Sequence, residues 1–234
     1  MRTATFHDSL NDALQQAQHA RFSRRNLLKT AAAGAAATTL MGSAAVGYRS
    51  VMAQTFNGPV DVLNYALTLE HLESTFYRTL NAEFTDGDFT AAGFGSNMPG
   101  RFASIENHEA AHVTALVGVI ESLGGTPVGE AWYDFGVTDV TSYVATAQVL
   151  ENLGTGAYTG AAQFLIENDD LLTAALTIHG VEARHASYLN LINDSVPFPE
   201  AFETPLTPAQ VLEAATPLIV GTMPDTGTGS SLDD

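Results

Sequence analysis

Apolar residues recur at alternating three- and four-residue steps along four stretches of the chain, the spacing of a helix that buries one stripe against a core. The first stripe runs Leu63, Ala66, Glu70, Glu73, Tyr77 and Leu80. The second runs Phe102, Ile105, Glu109, His112, Leu116, Val119 and Leu123, and ends at Gly124-Gly125, a helix stop signal. Val144, Ala147, Glu151, Gly154, Tyr158, Ala161 and Leu165 form the third, and Leu171, Ala175, Ile178, Glu182, His185, Leu189 and Ile192 the fourth, which stops before Pro197 and Pro199. Helices of roughly 22 to 29 residues exceed the globular mean and favour an all-α bundle.

The connections suggest the topology. A tight turn at Asn168-Asp169-Asp170 makes the third and fourth helices an antiparallel hairpin, while the segment 125–138, with Trp132, Tyr133 and Phe135, is long enough to cross the bundle. The reading is an antiparallel four-helix bundle with a crossover between helices 2 and 3, occupying residues 54–200. Residues 201–234 form a C-terminal extension, with one short helix over Pro208–Ala215 and a disordered acidic tail from Thr222 onward.

Composition adds a separate leader. The 234 residues hold 26 acidic against 9 basic side chains and no cysteine. Six of the basic residues precede position 54, so residues 54–234 carry only Arg78, Arg101 and Arg184 against 24 acidic groups, a net −21 with no lysine. Such a surface argues against nucleic acid as a partner, and the missing thiols exclude disulfides, thiolate-bound metals and cysteine nucleophiles. Residues 23–29 read Ser-Arg-Arg-Asn-Leu-Leu-Lys and are followed by the charge-free, Ala/Gly-rich stretch Thr30–Tyr48. The segment 1–53 resembles a twin-arginine export signal, with cleavage expected after Ala53. It implies export to the periplasm or beyond, with no stable membrane span after cleavage; alanine and glycine make a poor span, and an uncleaved anchor is the alternative. The twin-arginine route is known for carrying proteins already folded, often with a cofactor installed.

All four apolar stripes are interrupted at mid-length by carboxylates. Glu109-Ala110-Ala111-His112 and Glu182-Ala183-Arg184-His185 are the two Glu-x-x-His matches, and residues three apart on a helix share a face. Glu70 and Glu151 interrupt the other two stripes, each followed seven residues on by a tyrosine, Tyr77 and Tyr158. The pattern repeats: Ile105, Glu109, Ala110, His112 and Leu116 match Ile178, Glu182, Ala183, His185 and Leu189, so the chain is two related helix pairs with a pseudo-twofold axis between them. Four buried carboxylates would lack enough basic partners among three arginines, and burying unpaired charge costs several kcal/mol or more. Two divalent cations supply the missing positive charge, with two neutral histidines completing coordination. The alternative is glutamates that are protonated or turned to solvent.

The order Glu, Glu-x-x-His, Glu, Glu-x-x-His resembles the ferritin-like superfamily, whose di-iron and di-manganese carboxylate bundles use this set. It is similar in particular to the exported ferritin-like domain proteins that include desiccation-related proteins, over about Val60–Asn193. The resemblance implies Glu70, Glu109, His112, Glu151, Glu182 and His185 as ligands of two metal ions, with Glu109 and Glu182 bridging and each histidine capping one ion. The metal expected is iron, with manganese as the alternative, because hard oxygen donors with two imidazoles suit these ions. Tyr77 and Tyr158 are candidates for a supporting or electron-transfer role, or else core tyrosines. Glu73 is read as a hydrogen-bond partner or rim residue, with an extra ligand as the alternative, Glu106 and His179 as supporting groups or helix surface, and His71 and His108 as facing away from the stripe.

The function so implied is ferrous-ion oxidation or removal of peroxide or dioxygen, as part of an oxidative or desiccation stress response. Ferrous ion, dioxygen or peroxide would be the small-molecule partners. The alternatives are a non-catalytic metal-binding stress scaffold and a manganese catalase. A homo-oligomer is left open, and the long first connection and C-terminal extension depart from cage-forming ferritins.

Overall fold

The computed structural model describes residues 56–222. The expected leader and its cleavage point at Ala53 lie outside these residues, as does the acidic tail beyond Thr222. Four long helices carry the four stripes: α1 (Pro59–Leu80), α3 (Met98–Ser122), α4 (Val140–Ala161) and α5 (Asp169–Ile192). Their lengths are 22, 25, 22 and 24 residues. A short helix, α2 (Asp86–Ala91), lies in the first connection, and the expected C-terminal helix is α6 (Pro208–Ala215). Two short strands depart from the all-helical expectation: β1 (Ala131–Tyr133) in the crossover pairs antiparallel with β2 (Ile219–Thr222) near the end of the described chain.

Local chemistry sets the helix ends. Pro59 opens α1 behind Gly58, and Pro99 lies in the first turn of α3, where its missing N–H costs nothing. Asp139 and Ser142 form a reciprocal capping box on α4, as Thr207 and Gln210 do on α6, while Asn168 caps α5 through the Leu171 N–H. Gly124 takes φ 74° just past α3, the left-handed turn that glycine adopts without a Cβ penalty.

Helix α1 packs on α3 and α4 on α5, and contacts between α1 and α4 join the two pairs. Phe56 meets Phe164 at one end of the α1/α4 interface and Phe76 stacks on Tyr143 at the other, so these helices run antiparallel. The crossover must therefore return along the bundle, and α1 fastens it at seven-residue intervals. Asn64 bonds the backbone of Thr126 and Val128, His71 meets the Val128 carbonyl at 3.1 Å, and Arg78 pairs with Glu130 at 2.6 Å. His71 thus faces away from the carboxylate stripe, as expected, and ties the crossover to the outside of α1.

The outer face of α4 is covered by the C-terminal extension. Leu206 N–H donates to the Gly156 carbonyl at 2.9 Å, and Leu206 lies against both Gly156 and Gly160. A Cβ at Gly160 would sit 1.8 Å from the Leu206 carbonyl oxygen, so only glycine admits the strap there. Gly118, by contrast, has open space around it on α3. Gly160→Ala should lower unfolding free energy by about 1–3 kcal/mol through overpacking, whereas Gly118→Ala should raise it by roughly 0.5–1 kcal/mol. Urea unfolding of the two variants checks this; equal effects would mean that the strap does not pack on α4.

Candidate metal centre

The mid-length carboxylates of the four stripes meet in the bundle interior. Glu70, Glu109, Glu151 and Glu182 are each 0% exposed, and His112 and His185 are buried beside them. The option of glutamates turned to solvent is thereby removed. The six side chains fall into two groups, Glu70, Glu109, His112 and Glu182 in one and Glu109, Glu151, Glu182 and His185 in the other. Ligand atoms within each group lie within 4.8 Å of one another, and Glu109 and Glu182 belong to both groups.

The nitrogens sit among oxygens in a way that one N–H cannot satisfy. His112 Nδ1 lies 3.2 Å from Glu70, 3.3 Å from Glu109 and 2.9 Å from Glu182. His185 Nδ1 lies 3.1 Å from Glu109, 3.1 Å from Glu151 and 3.6 Å from Glu182. A ring nitrogen carries a single proton, so three carboxylates around it converge on a common point rather than forming three aligned bonds. Glu109 Oε1 and both oxygens of Glu182 are buried without a hydrogen-bond partner, despite these close approaches. Orphaned buried oxygens are rare in native proteins; besides the Tyr65 hydroxyl, those among the described residues all belong to the two carboxylates shared between the groups. Each group is a donor set that could hold a metal cation.

Among the described residues, no arginine offers an alternative neutralisation. Arg78 is engaged with Glu130, Arg101 lies over the Tyr188 ring with its centroid 5.6 Å away, and Arg184 donates to the Gly180 carbonyl. The outer oxygens of the unshared glutamates are held by the two tyrosines of the repeat. Tyr158 donates to Glu70 Oε1 at 2.5 Å and Tyr77 to Glu151 Oε1 at 2.6 Å, leaving each Oε2 to face a histidine. Tyr77 and Tyr158 therefore support the cluster as hydrogen-bond donors across the α1/α4 interface.

Several expectations change. His108, read as facing away, stacks on His185 with ring centroids 5.2 Å apart, and its Nδ1 is 2.9 Å from His185 Nε2. A partner on the outer nitrogen fixes a histidine's tautomer and ring plane. Its position one residue before Glu109 is off the stripe, and only the packing of α5 against that side of α3 brings it to the cluster. The matching residue of the second half is Val181, so the support is one-sided. Glu73 is 2% exposed and hence not at a rim. Glu106 bonds Asn81, and His179 meets Thr159 at 2.9 Å, so both tie neighbouring elements together instead of touching the six residues.

The metal-free electrostatics follow from burial and crowding. Burial pushes the Glu70 and Glu151 carboxyls well above their ordinary range, and neighbouring carboxylates push further. Burial also raises Glu182, but His112 and His185 outweigh it and hold this carboxyl at about 2. Burial lowers His112 and His185, yet the surrounding carboxylates prevail and raise both to about 12. The raised groups bind protons more tightly folded than unfolded. Their stabilisation is present at low pH and is lost as pH rises, for the carboxyls above about 4.5 and for the imidazoles between about 6.5 and 12. The Glu182 contribution is lost only below about 4.5. The metal-free protein should therefore fall in Tm by about 5 °C or more between pH 5 and pH 9. Divalent metal bound at the cluster would displace these protons, so its stabilising effect should grow over the same range. Scanning calorimetry with and without Mn²⁺ measures both; a metal-free Tm that is flat or rising would contradict the charge assignment.

Comparison with known families matches the ferritin-like domain model to residues 58–194. Among curated proteins, no sequence matches the chain. The matched span runs from the start of α1 to just beyond α5 and contains all six clustered side chains. On its sequence match, its four-helix bundle and its buried Glu/His cluster, the chain belongs to the ferritin-like domain family.

Proposed function

We propose that the protein is an exported di-metal oxidoreductase that oxidises ferrous ion or removes peroxide or dioxygen. The observation that carries this reading is the pair of carboxylates, Glu109 and Glu182, shared between two buried ligand groups and holding three orphaned oxygens. Glu70 and His112 would hold one ion, Glu151 and His185 the other, and Glu109 and Glu182 would bridge them. Oxygen-rich ligation with two imidazoles and no thiolate suits iron, then manganese. Bound there, two redox-active ions would supply the electrons that reduce dioxygen or peroxide.

The chain's own groups prepare this chemistry. Tyr158 and Tyr77 hold Glu70 and Glu151 by one oxygen each, which leaves the second oxygen directed at the centre. His108 holds the His185 ring from outside. The apolar stripes above and below the cluster, among them Leu63, Phe102, Ile105, Leu116 and Leu189, keep water away and strengthen every charge interaction within.

Reconstitution with Fe²⁺ in the absence of air should give two iron ions per chain by elemental analysis, and admission of air should then consume dioxygen. Bound metal without turnover would favour a structural metal in a stress scaffold, for which the lysine-free acidic surface is the supporting feature. Oxygen release from peroxide by the manganese form would favour a catalase. The double variant Glu109→Ala, Glu182→Ala should retain metal only at background level; two ions per chain in that variant would refute the bridging assignment.

Export rests on Arg24-Arg25 and the charge-free segment behind them. Replacing both arginines by lysine should leave full-length precursor inside the cell. Undiminished export, followed by immunoblotting of fractions, would remove the twin-arginine reading.

A further inference from the structure

An apolar groove of about 1230 Å³ runs between α5 and the segment that leads from it to the strap. Tyr188 and Leu191 line it from α5, Phe198 and Phe202 from the facing segment, and Asn152 and Thr155 from α4. Leu191 is 59% exposed, Phe198 79% and Phe202 89%. Pro197 and Pro199 fix the backbone on both sides of Phe198, which leaves its ring little freedom to retreat from water. Apolar surface gathered along one groove marks a place where another apolar group binds.

The rim selects the chemistry of the occupant. Glu200 and Glu203 line the groove against a single cation, Arg184, whose guanidinium already donates to the Gly180 carbonyl. With a net −21 over residues 54–234, such a groove disfavours an anionic ligand, an anionic lipid surface and a second copy of the chain. An apolar segment with positive flanks suits it, and this chain contains one. Residues 30–48, outside the described residues, carry no charge and include Leu40, Met41 and Val46, with Arg21, Arg24, Arg25 and Lys29 before them. Residues 1–53 together hold six basic and two acidic groups, a net +4.

The connecting chain is long enough. Phe56, the first described residue, packs on Phe164 just beyond α4. Thr155 of the groove lies nine residues back along that helix, a distance of about 14 Å. The eight steps from residue 48 to residue 56 span up to about 27 Å when extended. We infer that the groove binds residues 30–48 of this same chain, with the basic cluster before them lying against Glu200 and Glu203. Docking in this way covers two apolar surfaces at once, and cleavage after Ala53 would uncover the groove. The inference depends on neither the metal centre nor the route of export.

A chain without cysteine makes the test direct. One cysteine is placed in the leader of the full-length protein, by Leu40→Cys or Val46→Cys, and one in the groove, by Ser187→Cys. The control position is Ser122→Cys, exposed at the end of α3 that lies beside the start of α1. Mild oxidation of dilute protein should close an intrachain disulfide with Ser187→Cys at least about tenfold faster than with Ser122→Cys, because docking raises the local concentration. Adding Phe198→Asp and Phe202→Asp, at two exposed positions outside the core, should bring the two rates to within about twofold. Comparable rates at both positions without the aspartates, or a groove rate that the aspartates leave unchanged, would overturn the inference. Disulfides that form only between chains would overturn it in favour of a second copy. No disulfide from either leader position, with pelleting on phosphatidylcholine vesicles that the aspartates abolish, would overturn it in favour of a lipid surface.

Discussion

Four ionisable carboxylates at the centre of an apolar bundle set the condition that the rest of the structure answers. Glu70, Glu109, Glu151 and Glu182 have no exposed surface, and the three arginines of the described chain are engaged elsewhere. Without metal, the nearest compensation is protonation, with His112 and His185 held as cations by the oxygens around them. The same nitrogens and oxygens could hold metal, and a cation bound among them would displace these protons, which would link stability, pH and metal occupancy in one equilibrium.

Holding such a cluster open requires a rigid frame, and the covering segments provide it. Each of α1 and α4 is buried over most of its circumference, because the crossover lies along one and the C-terminal strap along the other. The strands β1 and β2 join those two coverings, so the crossover and the strap stabilise each other. Aromatic rings close one end of the bundle, with Phe76, Tyr143, Phe102 and Phe89 in mutual contact. In this frame the two reciprocal tyrosine-glutamate bonds can hold carboxylate orientation across the α1/α4 interface.

The two halves are close relatives but not copies. His108 supports His185, whereas Val181 stands at the matching place; Glu73 enters the α1/α4 interface, whereas Gly154 stands opposite. Both departures add a polar group in the first half of the repeat only.

Much of this was legible in the chain. The stripe spacing located four helices and their buried faces, because a helix repeats its direction every three to four residues and a core admits only apolar or paired groups. The two Glu-x-x-His segments, with Glu70 and Glu151, named the six side chains that meet, and the Pro208–Ala215 helix was readable from its start signals. The positions of His108 and Glu73 were not, since neither a stripe nor a repeat says which neighbouring helix packs on a given flank. The strands were also hidden: three or four residues carry too little periodicity, and β1 and β2 are defined only by meeting each other some 90 residues apart in sequence. Periodicity and spacing are local properties, so the sequence determined the helices, their inner faces and the six side chains that cluster. Contacts between distant segments depend on crossing geometry and close approach at Gly154 and Gly160, and these the tertiary structure alone decided.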